Sequence, residues 1–407
     1  MVIGVFALLG LFVLQKAFAP RELPGAREIY AALVIWTTMT ILLDPHGVVL
    51  SRTTARRVLL WCLIFIAYLA LVPLNPVVYP KYIVGDVASL LLPAFFLVCG
   101  YRYRDLFFTL PTLTRVGAVL AVAALIALAF PDETGRHQPP SLLLIAMTWT
   151  WFMLSKTRAR CLLAGLAVLV LSAVAWISTV RTNAAMVLVA GALVYWLHPR
   201  LRYSVLLGIP ALAVLLVARV GPIRNRVVGI VLESRFKTIA SGEGDESLLG
   251  RAVEMEDVIR TIQREWPPWR YAVGYGHGST YEPYKSYMGR NVTSEDRVHN
   301  IHIGPSMVFF RYGVFGIVLV SAMAWLTLRE LLRIRSEWRL GRAEPIGIVF
   351  TTTVALYGVY FLLFNSIVDP VFSYAAAGCL CTRSPGWTRY QDQHHPAPRS
   401  LLEATAG

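Results

Sequence analysis

Residues 161–197 read CLLAGLAVLVLSAVAWISTVRTNAAMVLVAGALVYWL, thirty-seven residues carrying a single charge, Arg181. Two apolar runs, about 161–177 and 182–197, flank the polar hinge Ser178-Thr-Val-Arg-Thr-Asn183. As α-helices they are each about 25 Å long, close to the thickness of a hydrocarbon core. Neither run alternates apolar with polar residues, so neither reads as a barrel strand. The pair reads as a membrane hairpin.

The same signature extends along the 407-residue chain. Hydropathy places spans at about 2–18, 29–43, 58–74, 83–99, 113–130, 141–154, 161–177, 182–197, 205–220, 305–328 and 345–364, with a shorter twelfth at about 370–382. The composition agrees, at 56% hydrophobic and 15% charged residues with a mean hydropathy of +0.58. Soluble domains sit near 25% charged, so those numbers exclude disorder, a disulfide scaffold and a soluble nucleic-acid binder. The fold class expected is all-α: a polytopic membrane protein of about 11–12 transmembrane helices. Its parts are a membrane bundle at 1–220, a large loop at 221–304, C-terminal helices at 305–382 and a disordered tail at 383–407. The first run ends in Ala17-Phe18-Ala19, the pattern of a signal-peptide cleavage site, but no Lys or Arg precedes it, so a retained helix is expected. The five cysteines all lie in apolar stretches without metal-type spacing and read as buried thiols.

The net charge of +14 is carried by an excess of arginine whose placement orients the chain. Loops after even-numbered helices hold 16 Lys and Arg residues, and the short odd-numbered loops hold six. The positive-inside rule therefore places the N-terminus and the even loops in the cytoplasm. Segment 221–304, after the ninth helix, then lies outside. It carries 11 acidic and 11 basic residues, and some 80 residues is far longer than an ordinary connection. Within it Leu248, Ala252, Met255, Ile259 and Ile262 make one helical stripe, with Asp245 or Ser247 as cap and Pro267-Pro268 as terminator. A glycine-rich turn, Tyr271-Ala-Val-Gly-Tyr-Gly-His277-Gly, follows. An ordered outer loop is where activity is to be sought.

Several residues could carry chemistry there. Arg181 sits near membrane depth, where an arginine costs about 2.5–3.5 kcal/mol at a helix centre and marks a site by default; the plain alternative is snorkelling to headgroups. Arg251 lies on the loop helix, where most arginines are simply solvated. His299-Asn300-Ile-His302 precedes the tenth helix, and histidine is the side chain best suited to proton transfer near neutrality. The two histidines share a face if that helix has already begun; otherwise they merely start it. Arg311 follows within the tenth helix. A zinc site would need a third ligand, and His277 has no supporting spacing, so no metal is expected. Gly274, Gly276 and Gly278 could offer N–H groups to a phosphate, although most such stretches are plain turns. Glu22 and Glu28 in the first outer loop lack the acidic cluster a catalytic pair would bring.

In this order the elements resemble the O-antigen ligase/polymerase superfamily. The likeness rests on Arg181, Ser247 through Arg251, Pro267-Pro268 with the three glycines, His299-Asn300, and Gly313 with Gly316. It covers roughly residues 160–330. His299 carries the family's His-Asn dipeptide, whereas His302, followed by Ile303 and then nine residues, has its spacing to the Gly-x-x-Gly; both remain candidates. The resemblance implies transfer of a glycan from undecaprenyl pyrophosphate to a sugar hydroxyl of a growing glycan or a lipid A core, inverting and without metal, nucleotide or other cofactor. It implies a bacterial inner-membrane protein of lipopolysaccharide or exopolysaccharide biosynthesis, with its site facing the periplasm. His299, His302, Arg251 and Arg181 would be catalytic, and Asn300, Arg311, His277 and Gly276 would bind substrate. Donor, acceptor and bilayer would be its partners, with no nucleic acid. Two other classes are open. A transporter or channel would show polar spans and inverted repeats, and a glycosyltransferase using a polyprenyl-phosphate sugar would need a metal.

Overall fold

The computed structural model describes residues 108–129, 140–155, 157–177, 181–197, 246–283, 297–299, 301–340, 344–363 and 370–381, with single residues at 60, 63, 67, 82, 83 and 86. The spans expected at 2–18, 29–43 and 205–220, most of those at 58–74 and 83–99, Glu22, Glu28 and the tail after 383 lie outside these residues. The described residues are mostly helical, with α1 (Leu110–Ala129), α2 (Leu142–Leu154), α3 (Arg158–Ile177), α4 (Arg181–Leu197), α5 (Glu246–Glu265), α6 (Arg270–Val273), α7 (Gly304–Arg339), α8 (Pro345–Leu363) and α9 (Pro370–Cys381). α7 and α8 are long and apolar enough to cross a membrane.

Local chemistry sets the helix starts. Thr109 accepts from the Thr112 N–H at α1, and Ser141 from the Leu143 N–H at α2. Pro305 occupies the first turn of α7, where a missing N–H costs nothing. α5 ends at Glu265, just before Pro267.

The bundle core joins α1–α4 to α8 and α9 around Phe108, Leu143, Ile145, Met186 and Phe350. Phe350 meets Phe108 edge-on at 5.3 Å and Tyr374 at 5.5 Å. Small residues let helices approach closely: a Cβ on Gly191 would fall 2.7 Å from the Trp149 ring, and one on Gly378 would fall 2.3 Å from Phe350. Buried threonines Thr148 and Thr353 return their hydroxyls to the carbonyls of Leu144 and Val349, as polar groups in apolar helices must. The opposite faces are apolar too. Leu162 is 74% exposed on α3, and Trp325 is 64% exposed on α7. Cys379 is buried beside Thr351, whereas Cys161 is only half-buried.

One element departs from expectation. The tenth span, read at 305–328, belongs to a helix running to Arg339, eleven residues further. Hydropathy stops at Arg329, but Arg333 pairs with Glu330 and Glu337 along the helix and carries the α-helical structure onward. The same helix breaks at Gly313, whose backbone is non-helical at φ 61, ψ −154. That break builds the site.

Candidate functional site

A kink releases carbonyls that a continuous helix would consume. At Gly313 the chain leaves the helical region, and the Phe310 and Arg311 carbonyls turn to the glycine-rich turn instead. They accept from the N–H groups of Tyr275 (3.0 Å) and Gly276 (2.8 Å). The approach is close on both sides. A Cβ on Gly313 would lie 2.5 Å from the Ala272 carbonyl, and one on Gly274 would lie 2.5 Å from the Arg311 backbone. Gly274, Gly276, Gly278 and Gly313 all have positive φ. The resulting interlock bolts α6 and the turn onto α7. Around it pack Trp266, Tyr275, Tyr281 and Phe310. Glu265, at the end of α5, accepts from the Tyr275 hydroxyl (2.6 Å) and pairs with Arg297 (3.2 Å).

Beyond the turn, Tyr281 and Val298 exchange both backbone hydrogen bonds at 2.9 Å, which lays segment 297–299 antiparallel to 279–282. α7 begins only at Gly304, so His299 and His302 stand on irregular chain and do not share a helical face. They enter two separate clusters.

His299 is held on every side. Its Nδ1 donates to the Ser279 carbonyl (2.9 Å), and its Nε2 lies 2.9 Å from Arg311 Nη2 and 3.2 Å from Asp86 Oδ1. Tyr82 stacks flat on the ring, with centroids 4.1 Å apart. Asp86 also meets Arg311 Nη1 at 2.7 Å and accepts from the Gly278 N–H at 2.8 Å. Asp86 and Arg311 are both buried, and the fully buried His277 ring packs edge-on to Tyr312 beside them. Burial holds the His277 imidazole below its ordinary value, with Arg311 reinforcing and Asp86 opposing the effect.

His302 is placed differently. Its Nδ1 lies 3.1 and 3.2 Å from the two oxygens of Glu254, and its backbone N–H donates to the same carboxylate at 3.0 Å. Since a carboxylate only accepts, Nδ1 is the donor, and Nε2 carries the lone pair of the neutral ring. Glu254 is 1% exposed on its side chain while His302 is 46% exposed, so a buried carboxylate orients an accessible imidazole. The Glu254 hydrogen bond raises the His302 pKa above 6.5; burial and the Arg251 charge pull it back. Next to this dyad an apolar groove of about 430 Å³ runs between α5 and α7, lined by Met255, Ile259, Ile262, Tyr271 and Phe309.

The residues singled out from the sequence are thus distributed. Arg251 joins His302 electrostatically, and Arg311 joins His299 with its fork turned inward. The Gly276 and Gly278 amides, candidates for a phosphate cradle, are taken by Arg311 and Asp86 of the protein itself. His277 is enclosed. Arg181 is the first residue of α4, and Asn300 lies outside the described residues. Among the described residues no group of three His, Cys, Asp or Glu side chains is placed to hold a metal ion.

One site residue, Asp86, escaped the sequence reading, and a second, Glu254, was legible only as a fallback base should neither histidine take the proton. Asp86 is an acid inside the apolar stretch Tyr82-Ile-Val-Gly-Asp-Val-Ala, at the start of the span expected at 83–99, and an acid at such a place is a functional signal in the sequence. Glu254 belongs to the polar Glu-Met-Glu-Asp run of α5, and composition gives no reason to pair it with His302 rather than leave it an alternative to the histidines. Comparison with protein-family models and with characterised proteins finds no match to this chain.

Proposed function

We propose that this chain is a polytopic membrane glycosyltransferase that moves a glycan from undecaprenyl pyrophosphate to a sugar hydroxyl at the outer membrane face. The observation that carries this reading is the Glu254–His302 dyad, an accessible imidazole whose Nδ1 proton is held by a buried carboxylate. Such a pair suits a general base. Nε2 takes the proton as the acceptor oxygen attacks the anomeric carbon, the bond from that carbon to the diphosphate breaks, and attack from the opposite face inverts the centre.

Diphosphate is already a good leaving group, so the protein has to hold and neutralise its charge. Arg251, Met255 and Ile259 stand at i, i+4 and i+8 on α5, one row that runs from a cation beside the dyad into the apolar groove. That order matches an amphiphile with an anionic head and a hydrocarbon tail. Apolar side chains exposed on α3 and α7 support burial in lipid, since water-soluble helices hide one face and wet the other. Ligase and polymerase share this chemistry and differ only in the acceptor.

The reading is tested with purified protein, a diphospholipid-linked glycan and a panel of acceptors, with and without EDTA. Transfer that survives chelation is expected. In that assay Arg251→Ala abolishes transfer while the protein still inserts, and Arg251→Lys restores only part, because an ammonium lacks the planar fork that grips a diphosphate. Full activity of Arg251→Ala would remove that residue from the site.

The orientation has its own test. In a cysteine-free background, exposed positions on α5 and at the end of α7 lie on opposite sides of the membrane. Gln263→Cys should label with an impermeant thiol reagent in cells opened only at the outer membrane, and Ser336→Cys should not. The reverse pattern would put the dyad in the cytoplasm.

A further inference from the structure

We propose that Asp86 is a positioning residue for the reacting histidine: one carboxylate, 192 positions before Gly278, clamps Gly278, His299 and Arg311 together and thereby holds the strand that presents His302 to Glu254. The inference rests on the role given to His302 above.

Three groups of the loop and α7 bond to Asp86, and the buried His277 feels its charge. Oδ2 accepts from the Gly278 N–H, and Oδ1 lies against both Arg311 Nη1 and His299 Nε2. Arg311 then uses its other terminal nitrogen on the His299 ring and on the His299 carbonyl, at 2.9 and 3.2 Å. The backbone of residue 299 is therefore tied through Arg311 to Asp86. His302 lies three residues on, at most about 10 Å along the chain. Little slack separates the clamp from the dyad. In either protonation state both His299 nitrogens are engaged, so this histidine organises the strand and offers no lone pair to a substrate.

The chemistry of the clamp demands a carboxylate. Gly278 and Arg311 are donors, and an amide would turn its NH₂ toward one of them while leaving the buried Arg311 charge unbalanced. His302 itself faces Glu254 and Arg251 from α5, and the Tyr281 hydroxyl approaches Glu254 at 3.5 Å. A strand that drifts lengthens the hydrogen bond from His302 to Glu254, and the elevation of its pKa goes with it. A residue that only stabilises the fold would change the amount of folded protein and leave that value alone.

The test needs no substrate. Full-length protein in lipid nanodiscs is treated with diethyl pyrocarbonate across pH 5–9, and modification of His302 is followed by peptide mass spectrometry. The wild-type midpoint is expected above about 6.5. In Asp86→Asn it falls, in the same direction as in Glu254→Gln, and Asp86→Glu recovers part of the difference. Should Asp86→Asn not fold, Asp86→Glu, which keeps the charge and moves the carboxylate by one methylene, carries the measurement, with a smaller fall in midpoint expected and an unchanged one counting against the role. A midpoint unchanged from wild type in the folded variant overturns the positioning role. Normal turnover in His302→Ala would instead overturn the reaction assigned to the dyad, while the midpoint would still decide whether Asp86 places the ring.

Discussion

Replacing His302 by alanine is expected to lower the rate of the proposed glycan transfer by about 10²–10⁴, the contribution of one positioned general base. The pH dependence identifies the group more sharply than the loss does. Only the neutral imidazole accepts a proton, so the rate climbs as pH rises through the His302 pKa. Glu254 raises that pKa by its hydrogen bond, against burial and the Arg251 charge, so the ascending limb lies above about 6.5. Glu254→Gln removes the carboxylate charge and moves the limb to lower pH, together with a fall in the plateau as the ring loses its orienting partner. Arg251→Gln removes a positive neighbour and moves the limb of any residual activity to higher pH. Opposite shifts from two residues on one helix are hard to obtain by general damage to the fold. A limb that stays in place in both variants would remove the dyad from the chemistry. His299→Ala is expected to lower the yield of folded protein, because three groups converge on that ring from the Asp86, Ser279 and Arg311 sides.

The second large effect falls on the interlock. Gly313→Ala and Gly274→Ala each force a side chain into a positive-φ conformation and drive a Cβ to 2.5 Å from facing backbone. Strain of this kind costs roughly 1–3 kcal/mol, and overpacking adds about 1–3 kcal/mol more. Backbone cannot rotate away as a side chain can, so the upper half of the combined range is expected. That is a large share of the roughly 5–15 kcal/mol that holds a typical domain. The check is thermal unfolding in detergent, with limited proteolysis after Arg264 and Arg270 reporting on the loop. Gly358→Ala serves as the control: it lies inside α8, nothing stands within 4 Å of its added Cβ, and it should be neutral or slightly stabilising. If Gly313→Ala melts with the control, the close approach between α6 and α7 is not what holds the turn.

What the sequence by itself determined is what depends on near neighbours along the chain. The helices α2, α3, α4 and α8 follow from long apolar runs, and α1 from one broken by Arg115, since a run of that length without turn residues reads as helix. α5 follows from a stripe at steps of three and four residues, and its end from two prolines. The region of interest, the long loop before α7 and the start of α7, was legible for the same reason.

The partners within that region were decided only by the tertiary structure. His299 and His302 are three residues apart and equivalent by composition, yet one is closed in by Asp86, Arg311 and Ser279 while the other stays open against Glu254. The separation arises because α7 starts at Gly304, after both histidines, and because Val298 bridges back to Tyr281, seventeen residues earlier. Gly313 shows the same division. Its type allowed a break in a helix that hydropathy reads as continuous, but the break occurs because the freed carbonyls of Phe310 and Arg311 find the Tyr275 and Gly276 amides. Period and hydropathy describe which face of an element is buried; which groups meet across that face depends on contacts between residues 48 positions apart, as for Glu254 and His302, or 192 apart, as for Asp86 and Gly278. Those contacts are made by chain closure, and no local pattern encodes them.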